Sequence, residues 1–110
     1  MSVQGSVTDN EDCQKILDEA MSTFGRLDLL VNNAGVTRFA HQKDLAALNA
    51  ADFEHIMSVN VTGSYQMTRA AVPDLEKSDC GAVVNVSSHS GMSGIGSSMA
   101  YAASKGALNT

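Results

Sequence analysis

The 110 residues predict an α/β fold built on a parallel sheet, and three observations carry that prediction. Helical and strand-like segments alternate in the order helix, strand, helix, strand, helix, the pattern of parallel strands joined by crossover helices. Each short apolar run ends in a turn-forming or Ser/Gly-rich stretch: Asn32-Asn33-Ala34-Gly35 after the first, residues 87–98 after the second. The composition, 44% hydrophobic and 17% charged, is ordinary for a soluble globular chain and sufficient for one small domain.

The first helix is announced by Thr8 followed by Glu11, a capping box ahead of the stripe Cys13, Ile16, Leu17, Ala20, Met21 and Phe24. Gly25 supplies its stop. Leu27 to Val31 reads as a buried strand. A longer helix is expected from Asn49 as N-cap to about Glu76, with an apolar line through Phe53, Ile56, Met57, Val61, Ser64, Thr68, Ala71, Val72 and Leu75. Asn60 falls on that line. Gly81 opens the second strand, Ala82 to Val86, and a last helix beginning near Met99 carries Tyr101 and Lys105.

A net charge of -5, with no cluster of Lys and Arg, argues against a nucleic-acid footprint. No apolar run approaches the roughly 20 residues that cross a bilayer. Cys13 and Cys80 stand alone and the N-terminus lacks signal-peptide character, so a reducing, cytoplasmic setting is expected. His41, His55, His89 and the cysteines show no metal-ligand spacing, and no metal site is expected.

Four side chains could carry chemistry. Tyr101 and Lys105 lie one helical turn apart on one face, where an ammonium favours the phenolate and suits a tyrosine to acid/base work. The same spacing also arises by chance. Ser88 stands at the C-terminal end of the second strand, where open parallel sheets place their ligand crevice; its loop holds five further serines, and simple loop polarity accounts for any one of them. Asn60 puts a carboxamide on an apolar helix face, so something polar must meet it, whether a backbone carbonyl, a water or a functional group. Asn33, Ala34 and Gly35 are small enough for a flat ligand to approach the backbone, or form an ordinary turn.

Two patterns mislead. Gly91, Gly94 and Gly96 read GxxGxG, which is not the dinucleotide fingerprint. Ser88 beside His89 lacks the elbow of a serine hydrolase.

In chain order, Leu29-Leu30-Val31-Asn32-Asn33-Ala34-Gly35, Val59-Asn60-Val61-Thr62-Gly63, Val84-Asn85-Val86-Ser87-Ser88 with Gly91, and Tyr101-Ala102-Ala103-Ser104-Lys105 together resemble the short-chain dehydrogenase/reductase family over nearly the whole chain. Ser88 lies thirteen residues before Tyr101, the family's usual spacing. The resemblance implies a partial Rossmann-like, doubly wound parallel sheet with three strands and three main helices, NAD or NADP as cofactor, and a small-molecule carbonyl or alcohol substrate. By the same resemblance Tyr101 is the acid/base, Lys105 tunes it and holds the nicotinamide ribose, Ser88 bonds the substrate oxygen, and Asn60 anchors a water. Asn33, Ala34 and Gly35 would lie along the adenosine side of the cofactor, with Ser6 and Val7 near the adenine, although the family usually has Asp or Asn where Ser6 stands.

The family's glycine-rich opening loop and its substrate-covering region have no counterpart in these residues. The resemblance therefore implies the central and catalytic part of a domain truncated at both ends and, in the complete protein, a homo-oligomer. The strand ending near Val7 would not neighbour the Leu27 strand, whose open edge would be an aggregation risk. Residues 1–110 alone are expected to be unstable, to bind cofactor weakly and to turn over little. The alternative is an inactive remnant serving as an interaction module through Ala102, Ala103, Gly106 and Ala107 on the last helix. An unrelated flavodoxin-like domain would leave the joint spacing of the four residues to chance.

Overall fold

The computed structural model describes residues 1–110. Its elements are α1 (Asn10–Phe24), β1 (Leu29–Asn32), α2 (Ala50–Met57), a π-helical segment (Ser58–Gly63), α3 (Ser64–Leu75), β2 (Ala82–Asn85), a short α4 (Ser90–Ser93) and α5 (Met99–Asn109). The fold is α/β: β1 and β2 pair in parallel, with Leu29 opposite Ala82 and Asn32 opposite Asn85. Two strands form, not three. Residues before Thr8 run without a ladder, because no strand lies beside them to accept their backbone hydrogen bonds.

Helix α1 is capped by Asp9 and not by Thr8. The Asp9 carboxylate accepts from the Glu11 and Asp12 amides, while the Thr8 hydroxyl pairs with that of Ser6. Gly25 closes the helix at φ 72°, where a side chain would strain the backbone. Cys13 and Leu17 reach the core, but Phe24 is exposed. Burial is the main reason the Cys13 thiol titrates above its ordinary value, with Asp9 and Asp12 adding to it.

The long helix predicted from Asn49 to about Glu76 begins as expected, with Asn49 and Asp52 exchanging a capping box. It is then interrupted by the π segment, a wide turn of β-branched and small residues that hold an α-helix poorly. The buried line becomes Ile56, Asn60, Ser64, Met67, Ala71 and Leu75; Met67 replaces the expected Phe53 and Val72, which face solvent.

The core of Cys13, Leu17, Leu30, Met67, Ala71 and Leu75 lies where α1 and α3 cover one face of the sheet. The other face is open. Leu29 and Val31 are half exposed and every residue of β2 is exposed, so within the expected buried strand only Leu30 is buried, and Asn32, expected in the turn, joins β1 as a buried residue. The Cα radius of gyration, 15.6 Å, exceeds the roughly 13 Å of a compact domain this long. No helix is long and apolar enough to cross a membrane.

Asp28 fastens the foot of β1 to the segment entering β2. Arg26 donates to both its oxygens at 2.8 Å and Ser78 adds a third bond, holding the carboxyl at about 2 against an ordinary 3.8. A depressed carboxyl contributes stability that is complete above pH 3.8 and disappears as pH falls toward about 2. Melting temperatures recorded across that interval should therefore fall less steeply in Asp28→Asn than in the parent, by a small margin because the pair is exposed. Equal slopes would remove Asp28 from the acid response.

Candidate functional site

The site assembles where the loop after β1, the π segment and α5 meet. Asn60 is fully buried at their junction. Its Oδ1 accepts from the Val36 amide at 2.7 Å, and its Nδ2 donates to the Val36 carbonyl and to Ser104 Oγ, each at 2.9 Å. The polar partner demanded by a carboxamide on an apolar helix face is thus the backbone just beyond Gly35, together with a serine of α5.

Helix α5 starts at Ser98, which sequence reading left in the polar loop. Buried and extended, Ser98 caps the helix by accepting from the Tyr101 amide, which sets Tyr101 in the first turn. One turn on, Lys105 is 4% exposed. Its Nζ donates to the carbonyl of Val86 at the end of β2 (2.7 Å) and stands 5.8 Å from the centroid of the Tyr101 ring. An ammonium has three donors, so two are left without a partner in the chain. A methyl group placed on Gly35 would lie 3.5 Å from Asn60 Oδ1 and 3.7 Å from Lys105 Nζ. Gly35, Asn60, Tyr101 and Lys105 are therefore brought together.

Ser88 is half-buried in the loop after β2. Its Oγ accepts from the Ser90 amide at 3.2 Å, which leaves the hydroxyl proton unassigned; the Tyr101 hydroxyl makes no hydrogen bond in the chain. Ser88 and Tyr101 are linked indirectly. Helix α4, unanticipated from the sequence, packs its Gly91 onto the backbone of Lys105 and Gly106, and Ser87 Oγ donates to the Lys105 carbonyl at 3.4 Å. Of the small residues expected to pack α5 on another helix, Gly106 is thus already occupied by α4 and Ala102 is buried. His89 pairs with Ser93 and not with Ser88.

Asn33 and Ala34 are exposed on the loop leading to Gly35. Ser6 and Val7 make no hydrogen bond to that loop: Ser6 bonds Asp12 and Thr8, while Val7 packs on Gly63 of the π segment and its carbonyl accepts from Gln66 at 2.8 Å. Ser104, Ser98 and the Val36 backbone were missed from the sequence. A serine three residues before Tyr101 is a legible cap signal; Asn60, which donates to Ser104, lies 44 residues away and leaves no local trace.

A family model described as short chain dehydrogenase matches residues 1–110. A protein of Streptomyces violaceoruber named as ketoacyl reductase 2 of the granaticin polyketide synthase is 45% identical over 104 residues, covering 94% of this chain and 42% of that one. A short-chain dehydrogenase/reductase from Burkholderia phymatum, solved in complex with NAD, superposes with a TM-score of 0.88 at 31% identity, covering 99% of this chain and 38% of that one. ElxO, solved with NADP bound, superposes at 0.85 with 37% identity, covering 96% and 42%. The chain spans about two fifths of the length of the curated relatives it matches.

Proposed function

The chain belongs to the short-chain dehydrogenase family, and from that membership we propose that it contributes the catalytic centre of a cytoplasmic NAD- or NADP-dependent oxidoreductase acting on a small-molecule carbonyl or secondary alcohol. The observation that carries the proposal is Lys105, a buried ammonium with one acceptor in the chain, set between Gly35 and the Tyr101 ring.

The residues fit a nicotinamide cofactor. Gly35 keeps the space before Asn60 and Lys105 free of a side chain, and the two remaining donors of Lys105 suit the hydroxyls of a ribose. Asn33 and Ala34, exposed on the loop before Gly35, would take the adenosine side as the family resemblance implies, with Ser6 and Val7 assigned to the adenine on the same ground. A bound nicotinamide supplies or receives the hydride. Tyr101 Oη gives its proton to the substrate oxygen on reduction and takes it back on oxidation. Ser88, whose Oγ is steadied by the Ser90 amide, donates its hydroxyl proton to the same oxygen. Asn60 holds the Val36 backbone. Both its amide protons are occupied, so a water at this residue would meet the second lone pair of Oδ1 or the backbone. The complete assembly is proposed to be a homo-oligomer, with no nucleic acid and no metal in the reaction.

The test is isotopic. The intact protein is given NADH or NADPH deuterated at the transferable C4 position and a panel of ketones and 3-oxoacyl thioesters. We expect one cofactor to be consumed and the label to arrive on the carbinol carbon of the product. Reduction without label at that carbon, or no reduction by either cofactor across the panel, would overturn the proposal.

A further inference from the structure

We infer that Ser104 is a positioning residue: it locks the Asn60 carboxamide to the first turn of α5 and so sets Tyr101 and Lys105 against the Gly35–Val36 segment. The inference deepens the proposed reaction and rests on that reading for its effect on turnover, whereas the lock itself is a matter of hydrogen bonding.

Ser104 is fully buried. Its hydroxyl donates to the Tyr101 carbonyl at 2.7 Å, so its one proton is assigned and a lone pair faces Asn60 Nδ2, which donates to it at 2.9 Å. The second Nδ2 proton goes to the Val36 carbonyl, and Oδ1 takes the Val36 amide. One closed set of bonds thus joins the loop after β1, the π segment and α5. The orientation of the carboxamide is determined from both ends, since a flipped amide would set donor against donor at Val36 and acceptor against acceptor at Ser104.

Packing alone does not ask for a hydroxyl here. Alanine is nearly the same size, favours a helix more strongly and would bury no polar atom. Back-bonding to the preceding turn, the usual habit of a serine inside a helix, explains the bond to Tyr101 but not the one received from Asn60. Lys105 follows Ser104 directly in the chain, and its ammonium lies close to Gly35. Slippage of α5 against Asn60 would therefore carry Lys105 away from the loop, and Tyr101 with it.

The experiment compares the intact parent protein with Ser104→Ala and Ser104→Cys by amide exchange in nuclear magnetic resonance and by steady-state kinetics. In Ser104→Ala the Asn60 side-chain amide and the Val36 backbone amide should exchange roughly tenfold faster, the scale of one lost buried hydrogen bond. The Ala82 and Val86 amides, which bond Asp28 and Asn32 across the strands, should not change. Turnover should fall in kcat while KM for the cofactor rises, because Tyr101 and Lys105 move together, and Ser104→Cys should recover part of the exchange and kinetic effects through its weakly accepting thiol. Unchanged exchange at Asn60 and Val36 would overturn the lock. A rise shared equally by Ala82 and Val86 would reduce Ser104 to a general contributor to stability and overturn it also. If Ser104→Ala does not fold, the same comparison is read in Ser104→Cys, where a smaller loosening confined to Asn60 and Val36 is expected. A parent without NAD(P)H turnover would sink the proposed reaction and leave the exchange measurement to decide on Ser104.

Discussion

Replacing Tyr101 by phenylalanine is expected to lower kcat of the intact protein by roughly 100- to 10,000-fold, the range over which a positioned acid/base contributes. The fold should scarcely notice. The Tyr101 hydroxyl has no hydrogen-bond partner in the chain, so its removal orphans nothing buried, and the ring that faces Lys105 is retained. Stability should stay within about 0.5 kcal/mol of the parent. Cofactor affinity should change little, because the donors facing Gly35 belong to Lys105. Ser88→Ala should cost less than the tyrosine change, since it removes a donor to the substrate oxygen and not the proton source. Steady-state kinetics beside a thermal melt separate these outcomes. A phenylalanine variant with full activity would take the proton from some other group and refute the assignment, whereas a variant that melts early would show the hydroxyl to be structural.

What could be read from the chain and what could not differ in range. The two strands read from apolar runs, the Asn49 cap and the Gly25 stop are local signals in which a few neighbouring residues decide the backbone, and they stand within a residue or two of where the sequence puts them, whereas the strand expected to end near Val7 does not form. Asn60 was legible as an anomaly, a carboxamide on an apolar face, but its partner Val36 contributes only backbone, which carries no side-chain signature. The π segment escaped because helical periodicity assumes a constant turn, and one wide turn leaves the hydrophobic content of the sequence unchanged. The open sheet face escaped because an apolar strand shows that a side chain can be buried, and not whether a layer is present to bury it. Thr8 and Asp9 are both residue types that cap helices; Asp9 holds the cap position of α1, and the Thr8 hydroxyl pairs with Ser6 instead.

Gly91→Ala is expected to be the most damaging of the glycine substitutions at the site. A Cβ on Gly91 would stand 2.6 Å from the Lys105 carbonyl carbon and 2.8 Å from both the Lys105 oxygen and the Gly106 nitrogen. These are backbone atoms, which cannot rotate aside as a side chain can, so α4 and α5 must separate. Forced overpacking of this kind costs about 1–3 kcal/mol, a large part of the stability of a small domain. The damage should reach the chemistry because Lys105 is gripped at both ends: its carbonyl by Ser87 and Gly91, its ammonium by Val86. Moving α5 outward stretches those contacts together, so kcat should fall along with the denaturation midpoint. Gly35→Ala makes the instructive contrast. Its added methyl would meet Asn60 and Lys105 at 3.5 and 3.7 Å, ordinary contact distances, so the midpoint should hold while KM for the cofactor rises as the methyl occupies the approach to Lys105. Urea titrations and cofactor kinetics on the two variants should thus diverge, one losing stability and turnover together and the other losing affinity alone. If Gly91→Ala kept the parent's midpoint, the close crossing of α4 on Lys105 would not be what holds the ammonium in place.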